Sequence, residues 1–139
     1  MAARVVVHSL ADARIALAAA ASIGCEVTLT SAPGAGAYAG PGWFKALTEE
    51  ARRAVPEARC DTVLDCGAAP GMALAALQLG LKRVRFTGHA GAFRRLHAVA
   101  KQIDATIETA DAPALDLRGV RHPETRCRAW LAGETMTRA

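Results

Sequence analysis

At 139 residues the chain has room for one domain of ordinary size with a core of its own. Charged residues make up 22% and apolar residues 52%, which excludes an intrinsically disordered chain, and no run approaches the ~18 apolar residues of a membrane span. The formal charge is +4, and the four cysteines form no CxxC pair and have no clustered histidines, which excludes a zinc ribbon and a disulfide scaffold.

No metal site is therefore expected, and a reducing cytoplasm is the expected location. The start, MAARVVVHSLADAR, is broken by Ser9, Asp12 and Arg14 before a signal-peptide core is complete. The apolar share also overstates the core, because 33 of the residues are alanine. Helices of this chain are expected to pack closely through small faces.

In chain order, short Val/Leu/Thr runs alternate with alanine-rich helical stretches, the pattern of parallel strands joined by crossover helices. Strands are expected near Arg4 to His8, Glu26 to Thr30, Thr62 to Cys66, Arg83 to Thr87 and Thr106 to Thr109. Ser9, with Asp12 three residues on, reads as a capping box opening the first helix. Its apolar side is expected to run through Ile15, Ala18, Ala19, Ser22 and Ile23 to a stop at Gly24. A second helix follows Pro41 and Gly42, with Phe44, Leu47, Ala51 and Val55 inward, and ends at Pro56. Pro70 suits the first turn of a third, in which Met72, Ala75, Ala76 and Leu79 repeat at helical spacing. A fourth carries Phe93, Leu96, Ala100 and Ile103. Residues 1–110 thus read as a single three-layer α/β domain, Rossmann-like or flavodoxin-like, with a mainly parallel sheet of about five strands. A (β/α) half-barrel is the alternative architecture. Residues 111–139 read as an irregular C-terminal extension with a short helix around Trp130.

In an open parallel sheet, ligands bind beyond the carboxyl ends of the strands. Those ends here are polar and glycine-rich: His8-Ser9, Ser31 with APGAGAYAGPG, Asp65-Cys66 with GAAPG, and Thr87-Gly88-His89 with AGA. Glycine near a helix N-terminus leaves backbone N–H groups open to phosphates and carboxylates. The expected ligand-binding residues are Ser9, Ser31, Gly34, Gly36, Tyr38, Gly67, Gly71, Thr87, Gly88 and Gly91. In the flavodoxin-like strand order 2-1-3-4-5, the third strand lies beside the first and the fourth. Asp65 and Cys66 then meet His8 and His89. A cysteine near a helix N-terminus and a histidine is favoured as thiolate, and an aspartate can orient a histidine for acid and base work. These four are the candidate catalytic residues.

The string Asp65-Cys66-Gly67-Ala68-Ala69-Pro70-Gly71 resembles the DxGAAPG turn that follows the first strand of Rossmann-like S-adenosylmethionine methyltransferases. That resemblance covers seven residues and implies a fragment binding S-adenosylmethionine. The family usually places an acidic residue at the end of the next strand, where Arg83 to His89 offers none.

From Lys82 to Lys101 there are six basic residues and no acidic one before Asp104, but no interleaved aromatics or DNA-binding motif, so nucleic acid is not an expected partner. Arg83 and Arg85 alternate with Val84 and Phe86, so one face of that strand is not fully covered by a helix. Two functions are expected to compete. One is binding of a phosphate- or carboxylate-bearing small molecule at the carboxyl edge, with modest chemistry. The other is a non-catalytic interaction module, a homo-oligomer such as a dimer. The sequence names no cofactor.

Overall fold

A computed structural model describes residues 2–133. The strands are β1 (Ala3–Val6), β2 (Glu26–Thr30), β3 (Arg59–Asp65), β4 (Arg83–Arg85), β5 (Thr106–Glu108) and β6 (Ala114–Asp116). The helices are α1 (Leu10–Ile23), α2 (Ala35–Tyr38), α3 (Pro41–Ala54), α4 (Pro70–Gln78), α5 (Ala90–Gln102) and α6 (Pro123–Leu131). The fold is α/β, with a parallel sheet and flanking helices, as the alternation of elements requires. Hydrogen-bonded neighbours follow the order β5-β4-β3-β2-β1-β6. The neighbours of β1 are β2 and β6, so the order 2-1-3-4-5, with β3 beside β1, is not the one adopted. None of the described helices is long and apolar enough to cross a membrane.

Two compact units divide the chain, and β3 and α3 each run through both. The first comprises residues 1–30, 47–61 and 112–139. In it, Val5 registers with Leu29 on one side and Leu115 on the other, and all three are buried. Ser9 caps α1 by accepting a hydrogen bond from the Asp12 N–H, while the Asp12 carboxylate accepts one from the His8 N–H. Gly24 ends the helix in the left-handed conformation, with φ at 70°. Helix α6 packs along α1, and the Trp130 indole donates to the Arg4 carbonyl.

The inward face of α1 is Ala13, Ala16, Leu17, Ala19 and Ala20, and Ile23 lies outward at 40% exposure. The expected stripe through Ile15, Ala18 and Ile23 was therefore out of phase. In an alanine-rich helix apolar side chains point in every direction, and Leu17 packing decides which face turns in. The stretch after Asp111 contributes β6 and α6 to this unit, and β6 is a strand beyond the five expected. Residues 134–139 of the expected extension lie outside the described residues.

The second unit comprises residues 31–46 and 62–111. Its strands β3, β4 and β5 are parallel, with Leu64, Val84 and Ile107 in register and buried on one side. In the adjacent register Asp65, Arg85 and Glu108 point to the opposite face, because successive strand residues alternate. Helices α4 and α5 pack on β4 and β5 and on one another. Pro70 occupies the first turn of α4, where its missing N–H costs no hydrogen bond. The buried side of α4 is Ala73, Ala76 and Leu77, whereas Met72 and Leu79 are 37% and 44% exposed. That corrects the expected stripe, for the same reason as in α1.

Candidate functional site

In the second unit the turn after β3, the end of β4 and the Ser31 to Gly36 segment are knitted together by one side chain. Ser31 Oγ accepts from the Asp65 N–H at 2.9 Å. Asp65 Oδ1 accepts from the N–H groups of Gly34 at 3.0 Å and Gly67 at 2.8 Å. Its Oδ2 accepts from Arg85 Nη1 at 3.1 Å, and the same Nη1 reaches Asp111 Oδ1 at 2.7 Å. Gly34 and Gly67 have φ of 74° and 56°, left-handed conformations that a Cβ disfavours. The Gly67 carbonyl in turn accepts from the Thr87 N–H. Asp65 is thus a buried tie between corners, and its partners are two backbone amides and an arginine.

The glycines at these corners admit close packing. A Cβ on Gly36 would lie 2.6 Å from Cys66 Sγ, and one on Gly88 would lie 2.5 Å from Phe86 Cζ and 3.0 Å from the Ala68 carbonyl. Cys66 is fully buried, and that burial, with the neighbouring Asp65 charge, pushes its thiol up to about 12. The thiol stays protonated at neutral pH, which overturns the thiolate expected from a helix N-terminus.

The two histidines have separate roles. His89 caps α5, its Nδ1 accepting from the Gly91 N–H at 2.9 Å. His8 belongs to the first unit, where Nε2 bonds Asp116 Oδ1 at 2.6 Å and Nδ1 bonds Arg118 Nη2 at 3.2 Å. Because an arginine can only donate, Nδ1 is the acceptor and Nε2 carries the proton that Asp116 receives. Partial burial works against charge on Asp116, but the Arg118 N–H and the His8 ring hold its carboxyl below the usual range. Neither Asp116 nor Arg118 was expected at this position. Asp116 is 108 residues from His8, and no local pattern links them.

A hollow of about 350 Å³ lies beyond the carboxyl ends of β4 and β5, bounded by Phe86, Thr87, Gly88, Ala90, Phe93 and Thr109. Helix α5 begins at its wall. By helix geometry the N–H groups of Ala90 and Ala92 have no intrahelical acceptor, and His89 occupies that of Gly91. The first turn of α5 holds no acidic residue, and Arg94 Nη2 comes within 3.8 Å of where a Gly91 Cβ would be. Phe93 stacks on His97, centroids 5.6 Å apart, which fixes the apolar wall.

Of the expected ligand residues, Thr87 and Gly88 line this hollow, and Gly91 lies in the first turn of the adjoining helix. Ser31, Gly34, Gly36 and Gly67 form the Asp65-tied corners, Gly71 follows Pro70 in α4, and Ser9 caps α1. Tyr38 closes α2 and is 71% exposed. Ala90, Phe93 and Thr109 also line the hollow and were not among the expected ligand residues. Phe86 is buried, and it also floors the hollow.

Half of the basic stretch is taken up by local partners. Lys82 Nζ bonds the Ile103 carbonyl, Arg83 pairs with Glu108, and Arg85 pairs with Asp65 and Asp111. Among the described residues no group of three or more His, Cys, Asp or Glu side chains could hold a metal ion. The chain matches no protein-family model, and no curated protein is significantly similar to it.

Proposed function

We propose that the protein binds a small phosphate- or carboxylate-bearing molecule in the hollow at the start of α5. The observation that carries this reading is the coincidence of the 350 Å³ space, the threonines 87 and 109, and a helix N-terminus without an acidic residue. The N-terminal end of a helix carries about half a positive charge and open N–H donors, which suit an anion. Phe86 and Phe93 supply an apolar surface for the body of the ligand. The reading is one of binding, because Cys66 stays a protonated, buried thiol and the Asp65 carboxylate is occupied by Gly34, Gly67 and Arg85.

The test is calorimetric titration with inorganic phosphate, nucleotides, sugar phosphates and small carboxylates, on wild type and Ala90→Asp. Ala90 is exposed at the first position of α5, where aspartate favours the helix dipole, so the variant keeps its fold. Its carboxylate repels an anion in the hollow. Binding weakened about tenfold or more in Ala90→Asp, with unchanged melting, supports the reading. Failure of every anion to bind wild type, or equal binding by both proteins, overturns it.

A further inference from the structure

A second space lies on another side of α5. Helices α4 and α5 enclose a groove of about 190 Å³ lined by Pro70, Leu74, Ala92, Arg95, Leu96 and Val99. Pro70 and Leu74 are four residues apart on α4. Ala92, Leu96 and Val99 follow at intervals of four and three on α5, so the two apolar rows run lengthwise along facing helices. The small Ala92 side chain leaves room where a longer one would fill the space. Arg95 is the one charged residue in the lining.

Charge points to the occupant. Neither α4 nor α5 contains an aspartate or glutamate, and α5 also carries Arg94 and Lys101. Arg95 has no hydrogen-bond or ion-pair partner among the described residues. An apolar channel with an unpaired guanidinium beside it fits a molecule with an alkyl tail and an anionic, planar head. Ala92 to Val99 covers about 10 Å along the helix at 1.5 Å per residue, which an extended chain of about eight carbons matches.

We propose that the groove between α4 and α5 binds a single-chain alkyl carboxylate of about eight carbons, its tail along Leu74, Ala92, Leu96 and Val99 and its carboxylate on Arg95. This site is separate from the hollow at the α5 N-terminus, and it stands or falls independently of that reading. Full burial of a methylene is worth about fourfold in affinity, and an open groove secures about half of that free energy, or twofold.

The experiment is a titration of the full-length protein with octanoate, hexanoate and octan-1-ol, followed by ¹H–¹⁵N correlation spectra and kept below the concentration at which octanoate forms micelles. Wild type, Arg95→Gln, Ala92→Leu and Ala90→Asp are compared. The proposal expects octanoate to shift the amides of Leu74, Leu96 and Val99 and to bind about fourfold tighter than hexanoate. It expects a loss of up to about fivefold in Arg95→Gln, weak binding of octan-1-ol, loss of binding in Ala92→Leu, and no change in Ala90→Asp. Arg95 is exposed, so its variant remains informative if Ala92→Leu does not fold. Shifts confined to Thr87 and Thr109, octanol binding as tightly as octanoate, or an undiminished affinity in Arg95→Gln each overturn the proposal.

Discussion

Replacement of Asp65 by alanine tests whether this carboxylate is the tie that holds the second unit's corners. In wild type it is 5% exposed and accepts two backbone N–H bonds, at 3.0 and 2.8 Å, plus one from Arg85. Alanine leaves the Gly34 and Gly67 donors without an acceptor, each costing about 1–3 kcal/mol where water cannot replace it. Arg85 retains Asp111, which is mostly exposed, so the loss of that pair adds at most about 1 kcal/mol. The expected total is about 2–7 kcal/mol, against a stability of about 7–20 kcal/mol for a domain of this length. Asparagine keeps one acceptor oxygen for the two glycines but turns an amide toward Arg85, so its cost should be about half as large. Urea unfolding followed by circular dichroism gives both values, with an unchanged dependence on denaturant expected. A loss below about 1 kcal/mol in Asp65→Ala would refute the reasoning, since the corners would then be held by something else.

The buried thiols set the alkaline limit of stability. An unfolded cysteine loses its proton near 9.0, whereas Cys66 and Cys127 are raised to about 12 and about 11 by burial. The unfolded chain therefore binds fewer protons above pH 9, and stability, complete below that pH, falls as pH rises by up to about tenfold in the folding constant per unit for each thiol. Urea midpoints between pH 8 and 10.5 should decline less steeply in Cys66→Ala than in wild type, and equal slopes would count against a buried Cys66. Gly88→Ala places a Cβ 2.5 Å from the Phe86 ring and 3.0 Å from the Ala68 carbonyl, and should cost about 1–3 kcal/mol by overpacking. A melting temperature equal to that of wild type would show that the Phe86 ring yields without cost.

What could be read from the sequence was local. Ser9 with Asp12, Gly24, Pro70 and the limits of β2 all announce themselves within a few residues, and the structure has them where capping and turn chemistry put them. Facing was not legible in α1 and α4, since alanine on every side gives no direction until Leu17 and Leu77 meet the sheet. Strand β6 is three residues long, and its pairing with β1 joins residues about 110 apart, beyond any local pattern. The same distance concealed the His8–Asp116 pair. Asp65 stood out in the sequence, but its bond to Gly34 spans 31 residues, so a tie between corners could not be told from a catalytic acid.

Glycine-rich turns in a parallel sheet invite a ligand reading because their N–H groups point past the strand ends. Here two of those groups, on Gly34 and Gly67, are satisfied by Asp65, and the space a side chain would need at Gly36 is taken by Cys66. Such corners use glycine to approach one another, and the Gly34 and Gly67 donors are already spent on a carboxylate of the chain itself. At the start of α5 the balance differs. Gly88 lets the chain pass over the Phe86 ring, His89 satisfies one amide, and the turn still opens on a hollow of ligand size. Unfilled space beside unspent donors singles out that corner, whereas glycine content by itself would have favoured the Asp65 corner instead.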